Sequence, residues 1–315
     1  MSILSMIIVV AGLCLFEVVS SIDNAIINAE VLSTMKEKSR KWFLTWGIFF
    51  AVFVVRGLLP WLIVWLVTPG IGPFEAFTAT ITSDPSVIGA IERSSPILLI
   101  GGGTFLCFLF FHWLFVEEKE YGLVGERFIH THGVWFYAVV SLILTVLVWS
   151  AIQQDPLMAI GAVVGSTAFF IIHGFRQNAE KIEKELTHRS HISDISKLCY
   201  LEILDVTFSI DGVLGAFAFT LAVPLILIGN GLGALVVRSF TINHIHTIKR
   251  YLYLKNGAMY SIFFLSVIML LESFGAHIPA WLSPLVTFGV VAYFYIKSRR
   301  HPHYHKNSFS TGDKI

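Results

Sequence analysis

Long runs of apolar residues occupy most of the chain and are separated by short polar stretches. Windows of about 20 apolar residues, the length that crosses a bilayer as a helix, predict membrane-spanning segments along the whole chain. The nine predicted spans lie at residues 3–32, 42–67, 97–116, 134–151, 157–175, 198–219, 222–241, 256–272 and 278–296. We therefore predict an all-α fold, a polytopic transmembrane helix bundle of about nine spans.

The composition supports the same interpretation. The chain of 315 residues is 55% hydrophobic and 14% charged, whereas soluble domains carry about 25% charged residues. The net charge is only +1 and the basic residues are spread over many loops, unlike the clustered basic surface of a nucleic-acid-binding protein. The predicted partner is the lipid bilayer, and no nucleic acid is expected.

Lysine and arginine predict the orientation of the chain. If the nine spans alternate in direction, nineteen of the 22 basic residues fall on one side, Arg93 falls on the other side, and two lie within spans. Short cytoplasmic loops carry an excess of positive charge. The sequence therefore predicts an N-terminus outside the cell and a C-terminus in the cytoplasm.

Acidic residues occur inside two of the apolar runs, in matching patterns. Glu17 and Asp23 enclose the residues VVSSI, and Asp205 and Asp211 enclose VTFSI. An ionised side chain at the centre of a bilayer costs roughly 2.5–3.5 kcal/mol, so such residues are rare and usually functional. The repeated pattern is the strongest sign of a functional site in the sequence.

The repeat continues into the spans that follow. The tripeptide Val-Val-Arg at 54–56 recurs at 236–238. Gly102 and Glu117, at the far end of the third span, are fifteen residues apart, as are Gly257 and Glu272 of the eighth. Three consecutive spans thus recur five crossings later, which inverts the second set relative to the first. Inverted repeats are typical of transporters, whose substrate sites lie near the midplane where the repeats meet.

This repeat divides the chain into four parts. We predict a first three-span repeat, a linker with two additional spans and a mixed-charge cytoplasmic segment, a second, inverted three-span repeat, and a last span with a basic, histidine-containing cytoplasmic tail. Their bounds are 1–117, 118–197, 198–272 and 273–315.

Four polar residues of the first repeat share one helical stripe. Glu17, Ser21, Asn24 and Asn28 are spaced i, i+4, i+7 and i+11, which places them on one face of a helix. Asp23 lies about a third of a turn away from this stripe. It would join the other side chains if the helix were interrupted near Ser21, as the discontinuous helices of transporters are.

The second repeat has a similar arrangement. Glu202, Asp205 and Ser209 share one face of the predicted helix, and Asp211 is offset from that face. Gly212 follows Asp211 and allows close approach of a neighbouring helix.

Two arginines, Arg56 and Arg238, lie within the predicted spans and are expected to be counter-charges for these acids. Five acids outnumber two arginines, and this surplus favours a cation or proton site over a balanced salt-bridge network. Carboxylates, an amide and hydroxyls are hard oxygen donors that suit Mg²⁺, Ca²⁺ or Mn²⁺, and the sequence does not decide between these ions. Desolvated carboxylates also bind protons, so exchange of the cation against protons is a further hypothesis.

We expect these residues to hold a transported divalent cation, with no resident cofactor and no enzymatic activity. The predicted ligands are Glu17, Asp23, Asn24, Asp205 and Asp211, with Glu202 as an auxiliary acid or proton carrier. The predicted supporting residues are Ser21, Asn28, Ser209, Arg56 and Arg238.

The histidines are interpreted as less informative. The His-x-His pairs at 130–132, 244–246 and 301–305 fall on the predicted cytoplasmic side. They are interpreted as solvated loop and tail residues, and a role in sensing metal or pH stays open as the alternative. His112 in the third span and His173 near the end of the fifth are interpreted as interior histidines with satisfied hydrogen bonds rather than as ligands.

The paired acidic motifs and the in-span arginines resemble those of the TerC family of integral membrane proteins, which is named for tellurite resistance and placed near the LysE transporter superfamily. The resemblance covers roughly residues 10–275. It implies a multi-pass protein of the bacterial inner membrane, active in manganese export or divalent-cation homeostasis, with the acids at positions 17, 23, 205 and 211 forming the ion site. One departure is Gly212, which stands where the first motif has Asn24.

Other classes of membrane protein fit the sequence less well. The Gly-x-Gly-Asp signature of intramembrane aspartyl proteases is absent, and no predicted span contains the lysine that a light-driven pump requires. A non-transporting scaffold of a metal or tellurite stress-response complex and an exporter of small organic cations stay open as alternatives. The sequence favours a divalent metal transporter, for Mn²⁺ first and Ca²⁺ second. It leaves the oligomeric state open, a homo-oligomer included.

Overall fold

A computed structural model describes residues 3–47, 49–50, 56–68, 70–82, 85–188, 193–243 and 251–300. Within these ranges, the description does not extend to the side chains of residues 23, 30, 33, 44, 78–82, 85–88, 179–188, 208 and 238–243. The described residues form helices and turns and contain no strand, which confirms the predicted all-α class.

The helices are numbered here in chain order. Their bounds are α1 Ile3–Ser20, α2 Ile22–Ser33, α3 Glu37–Trp42, α4 Arg56–Val67, α5 Pro73–Thr82, α6 Pro85–Phe115, α7 Glu126–Thr131, α8 Phe136–Ile152, α9 Pro156–His188, α10 Asp194–Ala216, α11 Val223–Asn243, α12 Leu254–Ser273 and α13 Leu282–Arg300. A π-helical turn, Phe43–Gly47, follows α3, and a short 3₁₀ turn precedes α8.

Several of these helices are long and apolar enough to cross a membrane. In the described part of the chain, the five that meet both criteria are Ile3–Ser20, Gly89–Phe115, Gly133–Ile152, Pro156–Asn178 and Leu254–Ser273. Helices α4 and α11 contribute shorter apolar stretches. Helix α10 coincides with the sixth predicted span but carries the acidic residues of the second motif, which lower its hydropathy. The apolar helices indicate a membrane protein, and the count of nine spans stays a prediction.

The first predicted span is divided at Ser21. Helix α1 ends at Ser20 and α2 begins at Ile22, and Ser21 has φ −88° and ψ 3°. Hydrogen bonds from the amide of Ser21 to the carbonyl of Glu17, 3.1 Å, and from the amide of Ala25 to the carbonyl of Ser21, 2.9 Å, continue across this point. The backbone angle therefore changes at Ser21, but the helix is not unwound there, and whether Asp23 joins the stripe lies outside the described side chains. In the second repeat, α10 continues through Asp211 without a corresponding interruption.

Helix α9 extends far beyond the fifth predicted span, which was expected to end at residue 175. The segment from 179 to 188 is rich in glutamate and lysine, which favour helix even outside an apolar span. As a result, Arg176 belongs to a helix and not to the loop in which the sequence was expected to place it.

Glycines bring α6 and α9 into close contact. A Cβ at position 161 would lie 2.7 Å from the carbonyl oxygen of Ile97, and a Cβ at position 165 would overlap the carbonyl oxygen of Gly101. Gly161 and Gly165 are four residues apart, the spacing of small residues that lets membrane helices pack backbone to backbone. Helix α6 also packs along α12. Helix α6 is therefore packed between α9 and α12.

Helix α1 packs against α10 and α11 through a second set of glycines. A Cβ at position 229 would lie 2.5 Å from Cβ of Leu13, and one at position 233 would lie 2.6 Å from Cβ of Glu17. These close approaches place the last turn of α1, with its acidic residue, deep between helices of the second repeat.

Candidate functional site

The carboxylate of Glu17 lies in the last turn of α1 and is only 1% exposed. Its Oε1 accepts a hydrogen bond of 2.7 Å from Oγ of Ser21, one helical turn later. The same oxygen lies 2.7 Å from Nη2 of Arg56, the first residue of α4. Because Arg56 is itself only 4% exposed, this is a buried ion pair between the first two predicted spans.

Asp205 of α10 joins the same group from the second repeat. Its Oδ1 accepts a hydrogen bond from Nδ2 of Asn24 in α2, and its Oδ2 lies 3.9 Å from Nη1 of Arg56. Both Asn24 and Asp205 are buried. The two acidic motifs therefore meet in one buried group, which we call the Glu17–Asp205 cluster: Glu17, Ser21, Asn24, Arg56 and Asp205.

Some buried oxygens of this cluster have no hydrogen-bond partner among the described residues. They include Oε2 of Glu17 and Oδ1 of Asn24. A Cβ at position 212 would lie 2.8 Å from Oε2 of Glu17. Gly212, which departs from the pattern of the first motif, thus leaves space for this oxygen against α10. A buried oxygen without a partner is unfavourable by roughly 1–3 kcal/mol, and a cation or a proton would satisfy it.

Asp211 lies on another face of α10. Its Oδ2 accepts a hydrogen bond of 2.6 Å from Nη2 of Arg176 in α9, and its Oδ1 has no partner among the described residues. Asp205 and Gly212 are seven residues apart and lie on one helical face, whereas Asp211 is about 100° away from Gly212. The structure therefore brings one acid of the second motif into the Glu17–Asp205 cluster and directs the other toward α9.

Asp211 and Arg176 line a cavity of about 260 Å³ together with Glu117 and Lys255. The rest of its wall is mainly apolar and comes from α1, α2, α6 and α12. Nζ of Lys255 lies 3.0 Å from Oε2 of Glu117. Glu117 follows the end of α6; burial alone would raise the pKa of its carboxyl, but the neighbouring imidazole of His112 and the charge of Lys255 hold that pKa well below its usual range.

Two histidines extend this group away from the cavity. The ring centroids of His112 in α6 and His173 in α9 are 3.8 Å apart. Nδ1 of His112 lies 3.5 Å from Oε1 of Glu117 and has no hydrogen-bond partner among the described residues. The expectation that His112 is a satisfied interior histidine is therefore wrong for this nitrogen. We call His112, Glu117, His173, Arg176 and Lys255 the cavity cluster.

Sequence reasoning did not assign the charged residues of the cavity cluster to a site. It placed Arg176 and Lys255 in loops and used Glu117 only as a landmark of the repeat. One signal was present: Asp211 lies off the stripe that contains Asp205, so its carboxylate needs a different partner. Asn230 of α11 was also missed; it is fully buried, and its amide atoms have no partner among the described residues.

The remaining predicted site residues lie around the Glu17–Asp205 cluster. Glu202 contacts the π-helical turn, because a Cβ at position 47 would overlap its Oε1, and neither of its carboxylate oxygens has a described partner. Ser209 donates a hydrogen bond of 2.5 Å to the carbonyl of Asp205. Asn28 is buried in α2, and its Oδ1 has no partner in the described part of the chain.

Two predicted site residues cannot be placed in this arrangement. The side chains of Asp23 in α2 and Arg238 in α11 lie outside the described residues. Among the residues that are described, no three histidine, cysteine, aspartate or glutamate side chains are grouped closely enough to hold a metal ion. The described arrangement offers two carboxylates, an amide and a hydroxyl around one guanidinium. Its carboxylate, amide and hydroxyl oxygens are the donor types that Ca²⁺, Mg²⁺ and Mn²⁺ prefer.

Comparison with protein families gives one match. A family model described as a protein of unknown function (DUF475) matches residues 22–304. No curated protein and no solved structure matches the chain. The matched range extends from the start of α2 past the end of α13, so Glu17 and Ser21 of the Glu17–Asp205 cluster lie before it.

Proposed function

The chain belongs to the DUF475 family, and we propose that it is a membrane transporter of a divalent cation that passes through the Glu17–Asp205 cluster. The observation that carries this proposal is the meeting of both acidic motifs in one buried group. Glu17 and Asp205 lie far apart in sequence, yet both contact Arg56. Buried acids in a membrane protein are costly, and they usually mark the route of an ion or a proton.

Charge balance supports a cation. Within the described cluster, two carboxylates face one arginine, and Oε2 of Glu17 stays without a partner. A purely structural ion pair would leave no such oxygen, because an unsatisfied buried acceptor destabilises the fold. With Arg56 in place the two carboxylates leave one excess negative charge. Once Arg56 withdraws they leave two, which a divalent cation balances and a single proton does not.

Ligand chemistry favours a hard cation. Carboxylate, amide and hydroxyl oxygens suit Mn²⁺, Ca²⁺ and Mg²⁺, whereas softer ions prefer sulfur or imidazole. We propose Mn²⁺ as the first candidate because the motifs resemble those of the TerC family, and Ca²⁺ as the second. Export is the proposed direction on the same ground.

Arg56 gives the cluster two states in this proposal. In the state described here, its guanidinium lies 2.7 Å from Glu17 and neutralises the acids in place of an ion. Cation binding would then require Arg56 to withdraw, so that ion and guanidinium alternate at the same carboxylates. Such competition would prevent the site from holding its ion too tightly for release.

Helix packing supports the proposed inverted repeat. The third span of each set packs against its counterpart, α6 against α12. The first span of each set packs against the second span of the other, α1 against α11 and α10 against α4. Reciprocal contacts of this kind are expected when two repeats are related by a two-fold axis in the membrane plane.

Cellular metal content tests the proposal. Cells that produce the wild-type protein in medium rich in Mn²⁺ should contain less manganese than cells with Glu17→Gln or Asp205→Asn, measured by mass spectrometry of washed cells. Glu272→Gln in α12 is the matched control, since it removes another half-buried carboxylate outside the cluster. If the wild-type protein changes neither the manganese nor the calcium content of the cells, the proposal of transport is wrong and the scaffold alternative is favoured.

A further inference from the structure

The histidine pair of the cavity cluster is not used by the proposed cation site. His112 is 5% exposed and lies in the last turns of α6, and His173 faces it from α9. Phe136 packs its edge against His112 at 5.3 Å between ring centroids, and Phe169 stacks on His173 at 5.6 Å. The two imidazole rings are in direct contact and are enclosed by phenylalanines. This arrangement suggests that the histidines have a function beyond packing.

The two imidazole rings have few polar contacts. Nδ1 of His112 faces Oε1 of Glu117 at 3.5 Å, slightly beyond hydrogen-bond range. Nε2 of His173 lies 3.0 Å from Nε2 of Gln177. The neutral pair therefore leaves Nδ1 of His112 unsatisfied in the described structure, whereas a proton on this nitrogen would create a charged hydrogen bond to Glu117.

The charged groups around the pair come from three helices and one loop. Glu117, in the loop after α6, is negative; Arg176 of α9 and Lys255 of α12 are positive, and Asp211 of α10 is paired with Arg176. Helix α8 faces the pair with Phe136 and contributes no charged side chain. Glu126 of α7 is engaged elsewhere, with Tyr260 at 2.8 Å.

These surroundings limit the pair to one positive charge. A proton on His112 is favoured by Glu117, and a second proton on His173 is opposed by the first imidazolium and by Arg176, three residues later. Two groups that interact this strongly titrate as a pair. The range in which imidazole ordinarily exchanges its proton, near pH 6.5, is the range found in cells.

We propose that His112 and His173 form a proton-binding site that takes up one proton per pair and holds it against Glu117. The proton binds to a ring nitrogen and leaves from it, and no other bond changes. In the predicted orientation the pair lies toward the cytoplasmic ends of α6 and α9. The site is separate from the Glu17–Asp205 cluster.

Coupling to transport rests on the proposed function. If a cation leaves the cell through the Glu17–Asp205 cluster, a proton that enters in exchange would bind to this pair before it reaches the cytoplasm. The positive charge of the bound proton would attract Glu117. It would therefore weaken the attraction of Glu117 for Lys255 and Arg176. The ion pair between Arg176 and Asp211 then connects the proton site to α10, which also carries Asp205.

Direct titration tests the proton site without any assumption about transport. Wild-type protein with ¹⁵N-labelled histidine, reconstituted in lipid nanodiscs, is titrated by NMR, with His112→Gln and His173→Gln used for assignment. We expect one proton per pair between about pH 5 and pH 8, with the two rings titrating as a coupled pair. Rings that stay neutral down to pH 5, or that each take up a proton independently of the other, would overturn the inference.

A second variant covers the case in which replacement of a buried histidine disturbs the fold. Glu117→Gln keeps the shape of the side chain and removes its charge at the edge of the cavity. The midpoint of the pair should fall by about one pH unit, because a nearby carboxylate favours the protonated imidazole. An unchanged midpoint would show that Glu117 does not act on the pair.

Flux in proteoliposomes separates this inference from the proposed function. Wild-type protein and the control His277→Gln should transport Mn²⁺ faster when a pH gradient is imposed, and His112→Gln should lose that acceleration. If the wild-type protein transports Mn²⁺ and His112→Gln responds to the pH gradient as the wild-type protein does, the proposed coupling is wrong and the proposed transport function is retained. If the pair titrates as a unit but no cation is transported, the proposed function fails and the proton site stands.

Discussion

At the scale of single residues, Arg56 holds together acids that would otherwise repel each other. Its guanidinium contacts Glu17 at 2.7 Å and Asp205 at 3.9 Å, all within the buried interior. Removing one partner of a buried ion pair typically costs about 3–5 kcal/mol, whereas replacing both partners costs much less. This asymmetry makes the cluster testable by paired substitutions.

We predict that Arg56→Met strongly destabilises the purified protein and that the double variant Glu17→Gln, Arg56→Met recovers most of the loss. Thermal unfolding in detergent measures both effects, with Arg299→Gln at the exposed end of α13 as the control. Equal melting temperatures for Arg56→Met and the wild-type protein would show that the cluster does not depend on this counter-charge.

Lys119, in the loop after α6, gives a prediction about pH. Its Nζ donates hydrogen bonds of 2.5 Å to the carbonyls of Trp113 and Leu114 and lies 4.3 Å above the Trp113 ring. Burial lowers the pKa of the Lys119 ammonium to about 8, below its ordinary value of about 10.4. Between these values the unfolded chain binds a proton that the folded protein has released, so stability rises with pH across this window.

The melting temperature of the wild-type protein should therefore increase between about pH 8 and pH 10 relative to that of Lys119→Arg. Arginine stays charged throughout this range, and the variant lacks the titration. Parallel curves for the two proteins would contradict the assignment of a lowered pKa to Lys119.

At the scale of helices, the contact between α6 and α9 determines where the cavity cluster lies. Helix α6 leads to His112 and Glu117, and α9 carries His173 and Arg176. The glycines at 161 and 165 let these helices pack backbone to backbone. The spacing of the two glycines is visible in the sequence, but their partner is not, because small residues give no indication of which helix they contact.

We predict that Gly165→Ala separates α6 from α9 and lowers both stability and the integrity of the histidine pair. Gly174→Ala in the same helix is the matched control, since a Cβ there has no neighbour within 4 Å, and it should be neutral or slightly stabilising. Thermal unfolding and the histidine NMR signals of the two variants provide the comparison. A Gly165→Ala protein that matches Gly174→Ala in both would contradict this packing.

At the scale of the whole molecule, hydrophobic patterning predicts the helices well where a span is apolar throughout. The fourth and eighth predicted spans, 134–151 and 256–272, agree closely with Phe136–Ile152 and Leu254–Ser273. The search for apolar windows ends a helix too early where polar residues continue it, as in α9. Such windows detect segments that face lipid, and they do not detect the helix propensity of polar residues.

The candidate site shows the same division between what sequence can and cannot predict. The repeated acidic motif correctly points to Glu17 and Asp205 as members of one buried group, because charges in apolar runs require partners. The partner of Asp211 could not be derived, since it depends on how α9 is rotated against α10. That rotation is set by packing over the whole bundle, which no local pattern encodes.

The predicted orientation of the chain is also testable. Green fluorescent protein fused after residue 315 should fluoresce, because it folds only in the cytoplasm. Alkaline phosphatase fused after Gln154, between α8 and α9, should be active, because it requires the outer side. The opposite result for both fusions would reverse the orientation, and with it the cytoplasmic placement of the cavity cluster.

The most direct measurement of the central claim is Mn²⁺ uptake by proteoliposomes that contain the purified protein. The account predicts uptake by the wild-type protein and by Glu272→Gln, and a loss of about tenfold or more for Glu17→Gln and for Asp205→Asn, since each removes an oxygen ligand. Wild-type rates in both cluster variants would contradict the claim that the cation passes between the two acidic motifs.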